Sequence, residues 1–284
     1  MAMKIVTSND ILMGMVPNVV TTVEGEKPLF EKISHQLELS EAWARDTFTG
    51  AEVLDAIADE RPSDTWRYLA SLVVSDALRR AIPSLDIVLT PNGFGIVSNN
   101  NLAPASKERI ERLIQQMASQ RDYFINMLLN DLCRSTAWTE SQQYAWFASS
   151  LIQIPKVCVG AVYDRIREGQ QWDLFLQLRE RAITIEDAIA EKWISYDVMT
   201  QLRTEMLAIS NPINEVFQVA RKVRACVYNE LRGNSRNHWD LDRVVNYIRN
   251  HPDLFPAWEG SDTAKLYNNP PVFKNKKNSS GYFF

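Results

Sequence analysis

The segment Pro83–Ser106 constrains the fold more than any other part of the chain, because it alone has the sequence pattern of β-structure. Asp86–Thr90 is rich in β-branched residues, Pro91–Gly93 has the composition of a turn, and Phe94–Ser98 is a second short extended run. Two such runs joined by an Asn-Gly turn predict a β-hairpin over about 86–98. A single two-stranded hairpin is only marginally stable in water, so this one must pack against helices or against another molecule.

The rest of the chain has the periodicity of amphipathic helices, which predicts a mainly α, bundle-like fold. The longest helix follows the hairpin from Ser106 to about Cys133, roughly 40 Å at 1.5 Å per residue. The helical pattern is lost from Pro252 onward. The other predicted helices span Asn9–Met15, Pro28–Thr49, Val53 to Pro62, Asp64–Ala81, Thr139 (as the cap) to Phe147, Pro155–Glu168, Trp172–Ile194, Tyr196–Ile209, Pro212–Leu231 and Leu241–Asn250.

Composition limits the classes of protein to which the chain can belong. Its 284 residues, 45% hydrophobic and 23% charged, can bury the core of one large domain or of two ordinary ones. No apolar run reaches the ~18 residues that a membrane-spanning helix needs. The first ten residues lack the basic and apolar regions of a signal peptide. We therefore expect a protein made in the cytoplasm that does not contact a membrane.

Metal, redox and catalytic chemistry have no support in the sequence. The cysteines are odd in number and far apart, which is typical of free thiols buried in a core. The histidines are isolated and show none of the HxxxH or HExxH spacings of metal sites. We expect no catalytic residue, no metal and no cofactor, in a protein that is not an enzyme. The residues concerned are Cys133, Cys158 and Cys226, and His35, His238 and His251.

Charge is distributed unevenly along the chain, whose net charge of −4 argues against a general nucleic-acid binder. Residues 1–60 hold four basic and eleven acidic side chains, a net charge of −7. Residues 212–250 and residues 261–284 each carry a net charge of +3. Solvated helix faces would explain this distribution. An acidic face of one copy that meets a basic face of the next would explain it too, and such a contact builds rings or filaments.

A weak internal repeat relates the two halves at an offset of 145 residues, although amphipathic helices of equal period can also match by chance. We predict an N-terminal helical unit over 1–160 with the inserted hairpin, a C-terminal unit over 170–258 that would duplicate 28–81, and an extended tail over 259–284. The paired positions are Leu29-Phe30 with Leu174-Phe175, Ile33 with Leu178, Glu41 with Glu186, Phe48 with Trp193, Val53 with Val198, Leu54 with Met199 and Ile57 with Leu202.

Aromatic residues outside the helical pattern indicate a candidate interface. Phe94 in the hairpin and the aromatic residues at the chain end are typical of anchors that insert into a partner. The tail could add a strand to the hairpin edge of a neighbouring subunit, or it could be a free end without a partner. The candidate interface residues are Thr90, Asn92, Gly93, Phe94, Val97, Tyr282, Phe283 and Phe284, and the candidate nucleic-acid contacts are Arg221, Lys222, Arg224, Arg232 and Arg236.

The hairpin and its flanks carry a family resemblance. Leu78–Asn99 (LRRAIPSLDIVLTPNGFGIVSN) and Ala103–Arg109 (APASKER) are similar to the signature of an uncharacterised family found in phages and prophages of Bacteroides-type gut bacteria. Its members resemble virion structural proteins of the head-completion or head–tail adaptor kind. The resemblance implies a helical protein that assembles as a ring on the portal, with loops and a terminal arm that reach its neighbours. Simple adaptors are about half this length, a departure that a duplication would explain.

These observations together predict a non-enzymatic structural protein of a phage virion, a ring-forming subunit of the neck or head–tail connector. The expected partners are further copies of the chain and the portal or other neck and tail proteins, with DNA passing through the ring. An alternative is a helical binding module that contacts nucleic acid through residues 221–236. An enzyme with an undetected site is a third interpretation, which would require a deep polar pocket with perturbed carboxylates.

Overall fold

Apolar side chains from both halves of the chain meet in one core. The computed structural model describes residues 3–16, 27–85, 87–90, 93–96, 106–207, 214–234 and 238–268. The core runs from Ile5 near the N-terminus to Ala264 near the end of the described chain. None of the described helices has the length and apolar character needed to cross a membrane. The largest fully buried side chains include Trp138, Trp258, Phe48, Phe147, Phe175 and Phe255.

Eight helices precede residue 149 in the described part of the chain. Ser8 and Ser63 cap two of these helices, because their hydroxyl oxygens accept hydrogen bonds from the backbone N–H groups of Ile11 (3.4 Å) and Trp66 (3.1 Å). The helices are α1 (Asn9–Met15), α2 (Leu29–Lys32), α3 (Ser34–Ala44), α4 (Gly50–Asp59), α5 (Asp64–Ala81), α6 (Lys107–Leu132), α7 (Thr136–Thr139) and α8 (Gln142–Ala148).

Seven helices follow residue 149 in the described part of the chain. Pro155 is the first residue of α9, a position that tolerates proline because its missing N–H would have no partner there. Thr139 was predicted to cap α8, but it ends α7, and the Ser141 hydroxyl caps α8. The helices are α9 (Pro155–Val162), α10 (Gln171–Ile189), α11 (Tyr196–Leu207), α12 (Glu215–Leu231), α13 (His238–Asn250), α14 (Pro256–Glu259) and α15 (Asp262–Asn268).

The predicted fold class, mainly α and bundle-like with one inserted β-hairpin over about 86–98 and an extended C-terminal tail, is wrong, and only its mainly helical character is confirmed. The fold is mainly helical, and no sheet layer is described on which helices could pack. The extended backbone that is described consists of β1 (Ile87–Thr90) and β2 (Gly93–Ile96), which pair antiparallel with Thr90 opposite Gly93. Gly93 therefore begins β2 and does not lie in the turn. A sheet of only two strands is marginally stable by itself, so helix packing determines the fold.

The extended C-terminal tail, predicted from residue 259, is also wrong over its described part. Pro256–Glu259 and Asp262–Asn268 are helices, and Thr263 and Ala264 are buried. The Thr263 hydroxyl donates to the carbonyl of Glu191 (3.4 Å). These helices are short, four and seven residues, so they span too few turns to show an amphipathic period in the sequence. The remainder of the predicted tail, residues 269–284, lies outside the described residues.

Two π-helical turns repeat the same backbone geometry 145 residues apart. Arg45–Thr49 follows α3, and Ala190–Ile194 follows α10. Each turn ends at a residue with positive φ, Gly50 at 75° and Ser195 at 69°. Positive φ costs a residue with a Cβ roughly 1–2 kcal/mol, so Ser195 is held there by its surroundings. A shared strained geometry cannot result from amphipathic period alone, and it supports the predicted relation between the halves.

Two buried glutamates repeat at the same offset. Glu41 on α3 accepts hydrogen bonds from the backbone N–H groups of Lys4 (2.8 Å) and Ile5 (3.0 Å). Glu186 on α10 accepts from the backbone N–H of Leu151 (3.0 Å) and from the Ser150 hydroxyl (2.8 Å). In both halves the carboxylate therefore anchors an irregular segment that precedes a short helix, α1 or α9. This repeated contact indicates that the second copy of the arrangement begins near residue 150.

A tryptophan motif repeats at a second offset of 120 residues. Trp138 in α7 lies 6.0 Å from Phe147 at an interplanar angle of 47°, and Trp258 in α14 lies 6.1 Å from Tyr267 at 48°. In both motifs a serine hydroxyl donates to the tryptophan carbonyl over 2.7 Å and caps the next helix. The equivalent residues are Ala137-Trp138, Ser141 and Phe147 in one motif, and Ala257-Trp258, Ser261 and Tyr267 in the other.

The described chain therefore contains one helical arrangement twice. We call residues 3–148 the first unit and residues 150–268 the second unit. In order, the equivalent helices are α1 and α9, α3 and α10, α4 and α11, α5 and α12, α6 and α13, α7 and α14, and α8 and α15. The predicted units, 1–160 and 170–258, place α9 in or near the first unit and α15 in the tail. The strands β1 and β2 lie between α5 and α6, whereas only six residues separate α12 from α13.

The two equivalent tryptophans predict matched losses of stability. Trp138→Ala and Trp258→Ala should each lower the free energy of unfolding by about 3–5 kcal/mol, because each removes a fully buried indole and leaves a cavity. Urea denaturation measures both values. Tyr196→Ala, at a side chain that is 54% exposed, is the control, with an expected change within about 0.5 kcal/mol. A small loss at either tryptophan would contradict its assignment as a core anchor.

Candidate interaction surfaces

Buried charges in this fold form structural contacts. Asp76 on α5 accepts hydrogen bonds from Arg79 (2.9 Å), Arg80 (2.6 Å) and the Ser40 hydroxyl of α3 (2.8 Å). Burial raises the pKa of Asp76, but the two guanidinium groups outweigh burial and leave this pKa below its usual value. No group of three or more His, Cys, Asp or Glu side chains is placed to hold a metal ion in the part of the chain that the structure describes.

Helix α6 of the first unit holds the start of the second unit through two polar side chains. Asp122 accepts a hydrogen bond from the backbone N–H of Gln171 (2.8 Å), the first residue of α10. Asn126 accepts from the backbone N–H of Lys156 in α9 (2.9 Å) and donates to the Gln171 side chain (2.7 Å). N–H groups in the first turn of a helix have no partner within that helix, so α6 satisfies them. We call this contact region the junction.

Arg121 completes the junction beside these two residues. Its guanidinium bonds to Asp122 (2.9 Å) and to the carbonyl of Gly169 (3.4 Å), and its side chain is almost fully buried. Burial raises the pKa of Asp122, and the neighbouring guanidinium lowers it less, so the net shift is upward. Gly169 has a φ of 74°, and an added Cβ would lie 2.4 Å from the Cβ of Ala118. The junction is therefore closely packed as well as hydrogen-bonded.

A second contact of the junction joins α8 to α10. Arg179 on α10 donates to the carbonyls of Trp146, Phe147 and Ile152. Its guanidinium carbon lies 4.1 Å from the centre of the Trp146 ring, a cation–π contact. Burial lowers the pKa of Arg179 to about 10, which leaves the group charged at neutral pH. The cation thus pairs with backbone carbonyls and an aromatic face, and it ties the end of the first unit to the second.

A buried ion pair stabilises the second unit next to this contact. Glu186 is fully buried and lies 2.8 Å from Arg203 of α11, which also contacts Asp187 at 3.2 Å. Burial raises the pKa of Glu186, while Arg203 and the hydrogen bonds from Ser150 and Leu151 lower it. These donors satisfy the carboxylate oxygens, as a buried charge requires. Glu186 therefore orders the entry to α9.

The residues equivalent to Asp122 and Asn126 face solvent in the second unit. At the offset of 120 they are Asp242 and Asn246 on α13, and both are exposed. Asp122 and Asn126 are only 5% and 6% exposed, because α9 and α10 cover them. Leu266, the equivalent of Trp146, is 62% exposed. The second unit thus presents the same polar pair and an apolar side chain on a surface that nothing in the described chain covers.

A groove beside the junction exposes aromatic surface. It has a volume of about 430 Å³, and its lining includes Trp43, Trp146, Trp172 and Leu176 together with Asp46. Trp146 is 40% exposed and Leu176 is 39% exposed. A larger groove, about 690 Å³, runs along α6 and is lined mainly by polar side chains such as Arg112 and Gln116. Neither groove gathers a set of converging acids and bases, so we assign no reaction to them.

The structure describes only part of the predicted interface. Thr90 ends β1, and Gly93 and Phe94 begin β2, so these three residues lie at the closed end of the strand pair. Their side-chain surroundings are not described. Among the more extensive contacts in the described chain, β1 meets only β2 and the 3-10 turn Ile82–Ser84. Asn92, Val97, Tyr282, Phe283 and Phe284 lie outside the described residues.

The predicted nucleic-acid contacts do not form a uniform basic surface. Arg221 and Lys222 are exposed on α12. Arg224 lies over the ring of Tyr228, with 5.7 Å between its guanidinium carbon and the ring centre. Arg232 donates a hydrogen bond to the carbonyl of Ala161. Two of the predicted contacts are therefore used within the chain, and Arg236 lies outside the described residues.

None of the three cysteines forms a disulfide bond, and two of them are buried. Cys158 and Cys226 are buried and Cys133 is partly exposed. Burial raises the pKa of Cys133 and of Cys226 to about 11, so both remain protonated at neutral pH. The Tyr228 hydroxyl donates to the sulfur of Cys158 over 3.3 Å. Low reactivity follows, because the thiolate is the nucleophilic form.

The sequence analysis missed the junction residues Asp122, Asn126 and Arg179. On an amphipathic helix, polar residues beside the apolar stripe look like solvated surface, and only the neighbouring unit buries them. A signal was nevertheless present. The sequence around Asp122 and Asn126 matches the sequence around Asp242 and Asn246 at an offset of 120, and the tryptophan motifs share that offset. The search at 145 residues alone could not find it.

Comparison with known proteins relates part of the chain to a protein family. Residues 20–148 match a family described as "Family of unknown function (DUF6712)". The match ends at Ala148, the last residue of α8, so it falls within the first unit. No curated protein matches the chain. No solved structure matches it either. The end of the family match thus coincides with the end of the first unit.

The junction predicts different effects for two equivalent asparagines. Asn126→Ala should lower the free energy of unfolding by about 1–3 kcal/mol, because the backbone N–H of Lys156 and the Gln171 side chain lose a partner in a buried site. Asn246→Ala removes the equivalent, exposed side chain and should change stability far less. Urea denaturation at low protein concentration compares the two chains as monomers. Equal losses would contradict the assignment of Asn126 to the junction.

Proposed function

We propose that the protein is a non-enzymatic structural subunit that assembles as a ring, of the phage neck or head–tail connector kind that its hairpin region resembles. The observation that supports the proposal most is the junction. Inside one chain, α6 and α8 of the first unit already bind the second unit through complementary contacts. A chain built from two such units is organised for serial assembly.

The symmetry of the junction favours a ring or a filament over a two-fold dimer. The first unit contributes α6 and α8 to the junction, while the second contributes α9, α10 and α11. Two different surfaces therefore meet, which is a heterologous contact. Repetition of a heterologous contact gives a ring if the rotation between units closes, and a filament if it does not. The uneven charge along the chain fits the same type of contact.

The strand pair supports a role in contacting other proteins. In the described residues it occurs in the first unit and has no counterpart between α12 and α13, so the repeated helical arrangement does not need it. An element added to a scaffold serves binding more often than packing. A two-stranded ribbon also has two unpaired edges, to which an extended segment of a partner can add. We propose that the ribbon, β1–β2, engages a neighbouring subunit or the portal.

The structure favours assembly over the alternative, a nucleic-acid-binding module. A phosphate-binding surface needs several free cations on one face. Arg224 and Arg232 of the predicted set make contacts within the chain. Arg221 and Lys222 are exposed and could lie near DNA in a ring without forming a specific site.

Assembly is tested by mass. At high concentration the protein, alone or mixed with its portal, should form a discrete species several times the 32.6 kDa of one chain. Light scattering after size exclusion gives its mass, and negative-stain images should show rings. DNA affinity measured over a range of salt concentrations serves as the second arm. A strict monomer under both conditions would contradict the proposal, and a steep salt dependence of tight DNA binding would favour the alternative.

Removal of the ribbon separates its role from folding. Replacement of residues 86–98 by a short Gly-Ser linker should leave thermal stability within a few degrees of the natural chain, because the second unit folds with only six residues at this position. The binding of this variant to the portal or to neighbouring copies should be lost or strongly reduced. Thermal melts and co-sedimentation measure the two properties. Full binding without the ribbon would contradict its assignment.

A further inference from the structure

We infer that successive copies of the chain bind through a repeat of the junction, so that the second unit of one copy holds the first unit of the next. This inference rests on the proposed ring and specifies its interface. It depends on the equivalence of α6 with α13, of α8 with α15, and of α3–α4 with α10–α11. The occupant of the exposed surface is therefore a second copy of this chain.

The donor surface is formed by α13 and α15. Asp242 and Asn246 have the same spacing on α13 as Asp122 and Asn126 have on α6. In the first unit this pair is buried because another unit covers it, whereas in the second unit it is exposed. The core side of α13 matches α6 as well, since Val245 and Ile248 are buried like their equivalents. The exposed pair is thus the equivalent of a surface that already binds a unit.

Helix α15 adds an apolar contact to this surface. Leu266 occupies the position of Trp146, which packs on Arg179 at the junction. It is 62% exposed, more than any other large hydrophobic residue in the described chain. At the offset of 145, the equivalent of Arg179 is Ser34, at the start of α3. A leucine facing a small residue replaces the tryptophan–arginine pair, so the expected contact is smaller and apolar.

The acceptor surface is formed by α3 and α4 of the first unit. It is acidic, with Glu38, Glu52 and Asp59 exposed. The donor surface exposes Arg243 and Arg249 on α13 beside Asp240 and Asp242, and Lys265 on α15 beside Asp262, so its exposed charges balance. Two acidic acceptor surfaces repel each other, whereas the charge-balanced donor surface does not repel an acceptor surface. Contact between a donor and an acceptor surface is therefore favoured over contact between two acceptor surfaces. The net charge of −7 over residues 1–60 agrees with the acidic character of the acceptor surface.

A cross-linking experiment tests this interface. One chain carries Ser34→Cys and another carries Leu266→Cys, both in a Cys133→Ala background because the other two cysteines are buried. The two chains are mixed before assembly and treated with a short bis-maleimide. A cross-linked dimer should form in the mixture and should be absent from either chain alone. The control pairs Leu266→Cys with Gln177→Cys, an exposed position on α10 that the inferred interface does not include, and its cross-link should be lost.

Asp242→Lys provides a second, independent readout. This change should shift the oligomer toward monomer, because the equivalent Asp122 accepts a hydrogen bond from a backbone N–H at the junction and a lysine side chain has no acceptor. The thermal stability of the monomer should not change, because Asp242 is exposed there. Lys222→Asp, also at an exposed position, is the charge-change control and should leave the oligomer intact. Loss of the oligomer in Asp242→Lys but not in Lys222→Asp supports the inference.

The outcomes distinguish the interface from the proposed function. If oligomers form but the mixture gives no cross-link, or if either chain cross-links with itself, this interface is wrong while the ring remains. If Asp242→Lys assembles like the natural chain, the donor surface is wrong in the same way. If no oligomer forms under any condition, the ring itself fails, and this interface fails with it.

Discussion

The fold depends on buried carboxylates that bind segments distant in the sequence. Glu41 and Glu186 each fix an irregular segment to the side of a long helix, and in both cases the helix then ends in a π turn. A buried carboxylate is costly unless its oxygens receive several donors, so the segment and the helix can only fold together. The first segment of each unit is thereby fixed to a long helix of the same unit. The two copies of this contact fix where each unit begins, and the core and the junction form between the helices that follow.

Much of the helical layout could be predicted from the sequence. Hydroxyl caps at Ser8 and Ser63 and the periodicity of α6 are local signals that depend on a few neighbouring residues. The pairing of Glu41 with Glu186 was also visible, and the structure shows the same role for both. These features can be predicted because they are determined by residues within one helix or one turn.

Other features could not be predicted because they depend on contacts between elements. The burial of Asp122 and Asn126 follows from the neighbouring unit and not from their own helix. Helices α14 and α15 are too short to show a period, and their order comes from Trp258 and from contacts with residues 190–194. The hairpin pattern, in contrast, is a local signal, and the sequence analysis gave it too large a role in the fold. Its local signal carried no information about how much this segment contributes to the fold, which helix packing determines.

The ribbon of the first unit has no counterpart among the described residues of the second unit, which has a geometric consequence. A closed assembly of n chains would carry 2n helical units around its circumference but only n ribbons. The ring of helical units would therefore have an approximate rotational symmetry of order 2n, whereas the ring of ribbons would have a symmetry of order n. A partner that binds the helical wall and a partner that binds the ribbons would experience different symmetries on the same particle. Such a body could act as an adaptor between two structures whose subunit numbers differ by a factor of two.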